Sequence, residues 1–214
     1  MPKVITVALM MCSGIFAQST PSKGSVHMWV DAFAGNQGEV VYPQYQWSLD
    51  TKIGGLSGSG YGFIEMHPHE TLLVEHAFAF APGKQRVFSV QMESDSYPSL
   101  GQVSYQVGPR LNIDQAIPGL DKLVEGLFVA VLPRLVGGSP DNVLVSGATN
   151  PLKLKGVELS VEGYRRFYLG RRHDYSEYLF VVHPKATKRF SFTVFTMNDS
   201  VRTYLGFGTR IDLF

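Results

Sequence analysis

The segment 103–113, VSYQVGPRLNI, alternates apolar and polar side chains along most of its length. Successive side chains of a β-strand point to opposite faces, so this alternation predicts a strand with one dry face. The dry face is covered either by a protein core or by lipid, and that choice decides the fold. The apolar set is Val103, Tyr105, Val107, Leu111 and Ile113, and the polar set is Ser104, Gln106, Gly108, Arg110 and Asn112.

The composition favours a β-rich chain that hides much of its surface from water. The chain has 214 residues, enough for one domain with a sizeable core, and its net charge of +1 gives no field that would attract nucleic acid. Charged residues make up 17% of the sequence, below the roughly 25% of soluble domains. Gly (22 residues) and aromatic residues (12%) are abundant.

The first residues have the form of a secretory signal peptide. Lys3 gives a short positive start, an apolar run extends from Val4 to Met11, and Ala17 is a suitable residue before a cleavage site. We therefore expect a signal peptide over 1–17 and one β-barrel domain over 18–214; a buried N-terminal segment is the alternative. Cys12 is the only cysteine, so the mature chain would carry no disulfide and no cysteine-based metal site.

Other short alternating segments recur along the chain, separated by Gly, Pro, Asn, Asp and Ser, and together they predict about ten to twelve strands. The Gly-rich stretch 52–62 is assigned to the sheet because glycine lets neighbouring strands approach closely. The segment 117–135 has a spacing compatible with a helix or a strand, and the strand is favoured because its surroundings are β. No later run of apolar residues is long enough for a transmembrane helix.

Three features favour lipid on the dry side. The polar faces carry mostly small or uncharged side chains, whereas a water-facing sheet is usually richer in charge. Several segments approach the nine to eleven residues that a tilted strand needs to cross hydrocarbon. Aromatic residues collect near segment ends, which predicts interfacial girdles: Tyr42, Tyr61, Tyr97, Tyr164, Tyr175 and Tyr178.

A strand in lipid must have all its backbone groups paired, so an open sheet edge is excluded and the predicted fold is a closed antiparallel transmembrane β-barrel. The alternative is a soluble β-sandwich or jelly roll, whose polar face would lie in water. On the barrel interpretation, Val103, Tyr105 and Val107 face lipid, and Gln106 faces the interior.

With these features, the chain resembles the small bacterial outer-membrane β-barrel proteins. The resemblance is one of architecture: the signal peptide, the mature chain without cysteine, the alternating strands and the terminal stretch GFGTRIDLF, which ends in Phe214. It implies residence in the bacterial outer membrane, insertion by the outer-membrane assembly machinery, and contact with membrane lipids or lipopolysaccharide. A secreted or periplasmic location goes with the soluble alternative.

Strand phase assigns a set of polar residues to the barrel lumen. Opposite charges in a narrow lumen should pair across strands, so we expect Glu158 and Glu162 to pair with arginines such as Arg110, Arg134 or Arg210. We also expect Gln106→Arg to be far milder than Val107→Arg, because position 106 faces the lumen and position 107 faces lipid. The candidate lumen-lining residues are Gln44, Gln46, Asp50, Gln106, Arg110, Glu158, Glu162, Arg210 and Asp212.

Two further motifs admit a functional interpretation. EMHPHE, 65–70, brings His67, His69 and Glu70 together, but the proline between the histidines indicates a turn rather than a metal site. YRRFYLGRRHDY, 164–175, mixes arginine with aromatic residues. We interpret it as a solvated loop, with contact to anionic lipid head groups as the functional alternative. The sequence thus predicts no metal and no cofactor.

Catalytic signatures such as G-x-S-x-G, H-E-x-x-H and the P-loop do not occur in the sequence, so an enzyme is not the favoured class. The favoured function is a narrow channel for small solutes or a sealed barrel with a structural or binding role. One rival is a secreted β-sandwich that binds a ligand such as carbohydrate. The other is a membrane-rim enzyme acting on lipid or envelope, for which Ser176 and His173 lie close in sequence.

Overall fold

The computed structural model describes residues 23–50, 56–68, 70–82, 87–138, 140–170, 174–198 and 203–213, and most of them lie in β-strands. The predicted signal peptide, 1–17, lies outside these ranges. A four-residue α-helix, α1 (Ile113–Ala116), and two 3-10 turns, Pro98–Leu100 and Leu120–Lys122, interrupt the strands. The strands are β1 (Lys23–Gly35), β2 (Gly38–Asp50), β3 (Leu56–His67), β4 (Glu70–Pro82), β5 (Phe88–Tyr97), β6 (Gln102–Asn112), β7 (Val124–Leu132), β8 (Arg134–Val136), β9 (Asn142–Thr149), β10 (Leu152–Lys153), β11 (Val157–Tyr168), β12 (Tyr175–Pro184), β13 (Phe190–Asn198) and β14 (Thr203–Asp212).

Twelve of these strands form one closed antiparallel barrel, in which each pairs with the barrel strands before and after it in the chain. β1 pairs with β14, where Asp31 lies opposite Arg210, and β9 pairs with β11, where Ser146 lies opposite Tyr164. The short strands β8 and β10 pair with β6 and β11. Closure leaves no free sheet edge among these strands, so the barrel prediction is confirmed and the β-sandwich alternative is wrong.

The segment with the ambiguous spacing, 117–135, is a strand in its second half. β7 covers Val124–Leu132, as predicted, and follows α1 and the turn at Leu120–Lys122. A bulge between Glu125 and Phe128 places Gly126 at a φ of 64°, a conformation that side-chain-bearing residues rarely adopt. The described part of the Gly-rich stretch, from residue 56 onward, lies in β3, also as predicted.

The two ends of the barrel differ in their connections. At one end, here called the turn end, the tight turn 36–37 joins β1 to β2, and the segment 98–101 joins β5 to β6. The other end, here called the terminal end, is where β1 begins, β14 ends, and the segment 185–189 joins β12 to β13.

The outer face of the barrel is apolar and exposed. Phe207 on β14 is 64% exposed and Phe192 on β13 is 54% exposed, although large apolar side chains of a soluble protein normally lie inside. Among the described residues, no helix is long and apolar enough to span a membrane. The exposed outward-facing set includes Phe80, Phe88, Val90, Met92, Val103, Tyr105, Val131, Val161, Tyr178, Phe180, Phe192, Leu205, Phe207 and Ile211.

A groove of glycine on the outer face of β3 is filled by aromatic side chains from β2. A Cβ added at Gly60 would lie 2.5 Å from Trp47 Nε1, and one at Gly62 would lie 2.6 Å from Tyr45 Cε1. The Tyr45 hydroxyl is hydrogen-bonded to His76 Nδ1 of β4 at 2.6 Å. Glycine at these positions therefore lets the aromatic rings lie flat against the barrel and join three strands.

The predicted aromatic girdle is wrong for most of its members. Tyr42 is buried in the interior apolar cluster, Tyr175 packs against it, and Tyr61 and Tyr164 pack against a second interior cluster. Tyr178 is exposed on the outer face. Position near a strand end does not decide the face, whereas phase does: Tyr42 is in phase with the inward-facing Gln44.

Candidate functional site

An ion cluster crosses the barrel interior in the turn half. Arg166 of β11 reaches Glu75 of β4 and Glu93 and Asp95 of β5, strands that are not its neighbours in the sheet. Its Nη2 lies 3.5 Å from Glu75 Oε2, its Nη1 lies 3.5 Å from Asp95 Oδ2, and it forms a close ion pair with Glu93. These contacts connect opposite walls of the barrel.

Hydrogen bonds from uncharged side chains support this cluster. The Tyr164 hydroxyl donates to Glu75 Oε2 at 3.4 Å, and Gln91 Nε2 donates to Glu93 Oε2 at 3.2 Å. Arg166 is 4% exposed and Glu93 is 0% exposed. Buried ions are stable only when they are paired and their remaining lone pairs and protons are satisfied, so the cluster depends on all its members.

The other part of the turn half is filled by apolar side chains. Phe33 of β1 stacks on Phe195 of β13 with ring centroids 4.7 Å apart, and Tyr42 of β2 lies 5.7 Å from Phe195. Tyr175 and Tyr164 meet edge to face at 6.1 Å and join this region to the ion cluster. The buried members of the apolar cluster are Phe33, Val40, Tyr42, Leu179, Val181, Phe195, Met197 and Tyr204.

A second interior arginine, Arg210, lies closer to the terminal end than Arg166 does. Arg210 of β14 binds Asp31 of β1 through two contacts of 2.9 Å, and its Nη2 donates to Glu162 Oε2 at 2.9 Å. Asp31 also accepts hydrogen bonds from Gln44 Nε2 at 2.7 Å and Trp29 Nε1 at 3.2 Å. The pairing of Glu162 with an interior arginine was expected from the sequence and is present.

The terminal half of the interior is more open on the side formed by β1 and β2. Gln46 of β2 and His27 of β1 share the inward phase of Asp31, and both are exposed. His27 Nε2 lies 3.1 Å from Asp212 Oδ1, and the Ser25 and Ser48 hydroxyls are 2.8 Å apart. The interior is thus packed shut toward the turn end. Toward the terminal end it forms a polar cup beside β1 and β2, whereas the inward residues Ser57, Ala81, Ser89 and Asn112 on the other side are buried.

The register carries all the candidate lumen-lining residues on the inward phase, the one that holds Asp31 and Arg166. The side chain of Asp50 lies outside the described part of the structure. That these residues line a path for solutes stays a prediction. The residues are Gln44, Gln46, Asp50, Gln106, Arg110, Glu158, Glu162, Arg210 and Asp212.

Arg110 was one of three possible partners predicted for Glu158 and Glu162, and among the described side chains it forms an ion pair with neither. Its Nε donates to Asn112 Oδ1 at 2.6 Å, and its guanidinium lies 3.6 Å from the centroid of the Phe128 ring. A cation held over an aromatic face and bonded to an amide replaces the expected carboxylate partner. Phase placed Arg110 inside but could not place it against a particular opposite strand.

Gln106 is part of the packed interior. Its Nε2 donates to the carbonyl oxygens of Leu132 at 3.2 Å and Pro140 at 2.8 Å, and its Oε1 accepts from Arg166 at 3.4 Å. The side chain is 1% exposed, so an arginine would have no room and would lose these bonds. We therefore expect Gln106→Arg to be destabilising, in contrast to the mild effect predicted from its lumen-facing phase.

The sequence reasoning missed the Arg166 cluster because it assigned 164–175 to a solvated loop, which is wrong for 164–168. Arg166 has the parity of Glu162 on the same strand and is buried. Phase counted onward from Glu162 would have placed it inside. Glu93 and Asp95 alternate with outward Met92 and Ser94 in β5, so their phase was also readable.

Three interior carboxylates have the spacing of a metal site. Ligand oxygens of Glu75, Glu93 and Asp95 all lie within 4.8 Å of one another. The Arg166 guanidinium lies among them, however, and supplies the positive charge that a cation would bring. At the other candidate motif, His67 Nε2 contacts Glu65 Oε1 at 3.1 Å; His69 lies outside the described residues.

The remaining candidates lie on the outside of the barrel. Ser176 of β12 has the outward phase of Tyr178, and its possible partner His173 lies outside the described residues. Arg165 is exposed and contacts Asp174 at 3.5 Å. Arg171 and Arg172, the other cations of that basic motif, also lie outside the described ranges.

Comparison with solved structures returns barrels of the porin type. Two mutants of a porin from Rh. blastica match with 6% sequence identity and a TM-score of 0.34, over 89% of this chain and 100% of the porin chain. A structure described as "Asymmetric conductivity of engineered proteins" matches with 6% identity, a TM-score of 0.33 and the same coverage. No protein-family model matches the chain, and no curated protein matches it significantly. The assignment of the barrel therefore depends on its own closed register.

Proposed function

We propose that this chain is a membrane-embedded barrel of the bacterial outer membrane, whose interior is sealed by its own side chains and which does structural or binding work. The observation that carries the proposal is the Arg166 cluster. It crosses the lumen, it is almost inaccessible to solvent, and it meets the apolar cluster in the same half of the barrel.

The outer surface supports the membrane location. Exposed apolar side chains cover outward positions on strands around the barrel, and contiguous apolar surface of that extent is unusual on soluble proteins. All barrel strands are paired on both sides, as hydrocarbon requires, since lipid offers no hydrogen bonds to an open edge.

The interior supports a sealed lumen rather than an open pore. A barrel of this size has an interior that side chains can fill, and here the filling includes paired ions that are costly to separate. A solute crossing the turn half would have to displace Arg166 from its carboxylates or part the stacked rings of Phe33 and Phe195.

Planar-bilayer recording tests the proposal. The wild-type protein should be silent or nearly so, and Arg166→Ala should conduct because three carboxylates then repel one another and the cavity fills with water. Arg165→Ala is the matched control, since Arg165 is the next residue and lies outside the barrel. Steady conductance by the wild type, with correct folding shown independently, would overturn the sealed-lumen proposal.

A narrow channel for small solutes is the second candidate, favoured by the polar cup at the terminal end. Gln46 and His27 are exposed there, so water reaches the interior from that end. On this alternative the Arg166 cluster is a gate that opens under an applied voltage. Voltage ramps distinguish the two candidates. Reversible opening of the wild type, replaced by constant conductance in Arg166→Ala, would favour the channel.

A further inference from the structure

The exposed charges of the barrel are distributed unequally between its ends. At the terminal end, the described exposed cations are Lys122, Lys153, Lys155, Lys185, Lys188 and Arg189, and the exposed carboxylates are Asp121 and Glu125. At the turn end, the described exposed cations are Arg134 and Arg165, and the described exposed carboxylates are Glu39, Glu70, Asp141 and Asp174. Every lysine whose side chain the structure describes lies at the terminal end.

Four of these cations form one patch. Lys155 lies in the connection between β10 and β11, and Lys185, Lys188 and Arg189 lie in or beside the connection between β12 and β13. The two connections are in contact, because the Lys185 amide donates to the Gly156 carbonyl at 2.9 Å. We call these four cations the basic patch.

Exposed leucines accompany the basic patch. Leu152 is 59% exposed and Leu154 is 43% exposed, and Leu152 lies opposite the outward Leu159 in the register of β10 and β11. The apolar outer face continues from there along β12 and β13, with Phe180 and Phe192 exposed. The cations therefore lie at the edge of the surface that we assign to lipid.

We propose that the basic patch binds the phosphate groups of anionic lipid head groups in the membrane leaflet at the terminal end. The proposal depends on the proposed membrane location. Lysine and arginine at such an edge extend their charged groups to head-group level while their stems remain in apolar surroundings, and each adds to the electrostatic attraction near an anionic surface.

The nearby carboxylates do not neutralise the patch. Asp212 is engaged by His27 at 3.1 Å. Glu158 has the inward phase and lies opposite Lys153 in the register, so Lys153 is left out of the patch. Among the described side chains, no ion pair joins any of the four cations to a carboxylate. The exposed leucines favour lipid over a water-soluble acidic partner, since a lipid surface takes up both the charge and the apolar side chains.

Lipid titration of the folded full-length protein in neutral detergent, counted by native mass spectrometry, tests the proposal. Phosphatidylglycerol should bind more tightly than phosphatidylcholine, and the difference should shrink with salt. The double variant Lys155→Gln/Lys185→Gln should weaken phosphatidylglycerol binding by on the order of tenfold and leave phosphatidylcholine binding unchanged. The matched control is Arg134→Gln/Arg165→Gln, which removes the same charge from the turn end and should keep the preference.

Equal weakening by the two double variants, or no preference for phosphatidylglycerol in the wild type, would overturn the proposal; an acidic protein segment would then be the occupant to test. A separate arm measures insertion into pure phosphatidylcholine bilayers. Failure to insert there would contradict the membrane location itself. Insertion without a head-group preference would contradict the basic patch alone.

Discussion

Two arginines inside the same barrel hold carboxylates in different ways. Arg166 binds Glu75, Glu93 and Asp95 from strands on another wall, whereas Arg210 binds Asp31 from the strand beside its own and reaches across to Glu162.

The surroundings of the two clusters also differ. The Arg166 cluster is closed off from solvent, while the Glu162 side chain is 33% exposed. Strand phase therefore places a charge inside the barrel, but the residues of the opposite wall determine whether that charge closes the lumen.

The largest expected effect is on the closed cluster. Arg166→Ala leaves buried carboxylates without their cation, and removal of one partner from a buried ion network costs about 3–5 kcal/mol. Urea unfolding of the protein folded in bilayers measures the loss. Arg166→Met combined with Glu93→Gln should recover part of it, because the double change removes a charge of each sign. A single variant within about 0.5 kcal/mol of wild type would contradict the description of this cluster as a linked network.

The next effect tests the contrast between the outer face of the barrel and the inner face that holds both arginine clusters. Phe207→Arg puts an arginine on the outer face near the middle of β14, where lipid contact would cost about 2–4 kcal/mol. Gln46→Arg adds the same charge on the inner face in the open half and should be far milder. Unfolding of the two variants in bilayers gives the comparison. Equal losses would mean that the outer face is not in hydrocarbon.

A smaller loss is expected for the second arginine. Arg210→Gln removes the main partner of Asp31, but Gln44 and Trp29 still donate to that carboxylate, and Glu162 has access to water. We expect about 1–3 kcal/mol, the range for a buried group left partly unsatisfied, from the same unfolding measurement. A loss as large as that of Arg166→Ala would remove the distinction between the clusters.

The sequence allowed much of the fold to be predicted, for a physical reason. An apolar outer face and a filled inner face impose a period of two, so the alternation at 103–113 predicted both the strand and its outward side. The faces of Glu162 and Arg210 followed in the same way. Contacts across the lumen could not be predicted, because the distance between Arg166 and Glu93 depends on the diameter of the barrel and on the stagger of its strands.

Local composition gave wrong predictions where it conflicted with strand phase. Tyr42 and Arg166 were assigned by their neighbours in sequence, as a girdle residue and a loop residue, although both have the inward parity. A barrel interior this narrow takes aromatic rings and paired ions as filling, so neither residue type marks a surface. Parity was the better guide at both positions, and it was weakest at the turns, where the alternation stops.

The smallest effect is expected at Glu158. It tests whether the sealed part of the lumen extends from the Arg166 cluster to the terminal end. The sequence analysis predicted that Glu158, like Glu162, pairs with an interior arginine. In the structure Glu158 begins the inward series of β11 near the terminal end, opposite His183 and Lys153. No ion pair among the described side chains joins it to an arginine, and it lies outside the packed turn half. Glu158→Gln should therefore change the unfolding free energy by less than about 0.5 kcal/mol and leave bilayer recordings like those of the wild type. An increase in conductance approaching that of Arg166→Ala would instead mean that the seal extends to the terminal end, and that the two arginine clusters act as one barrier.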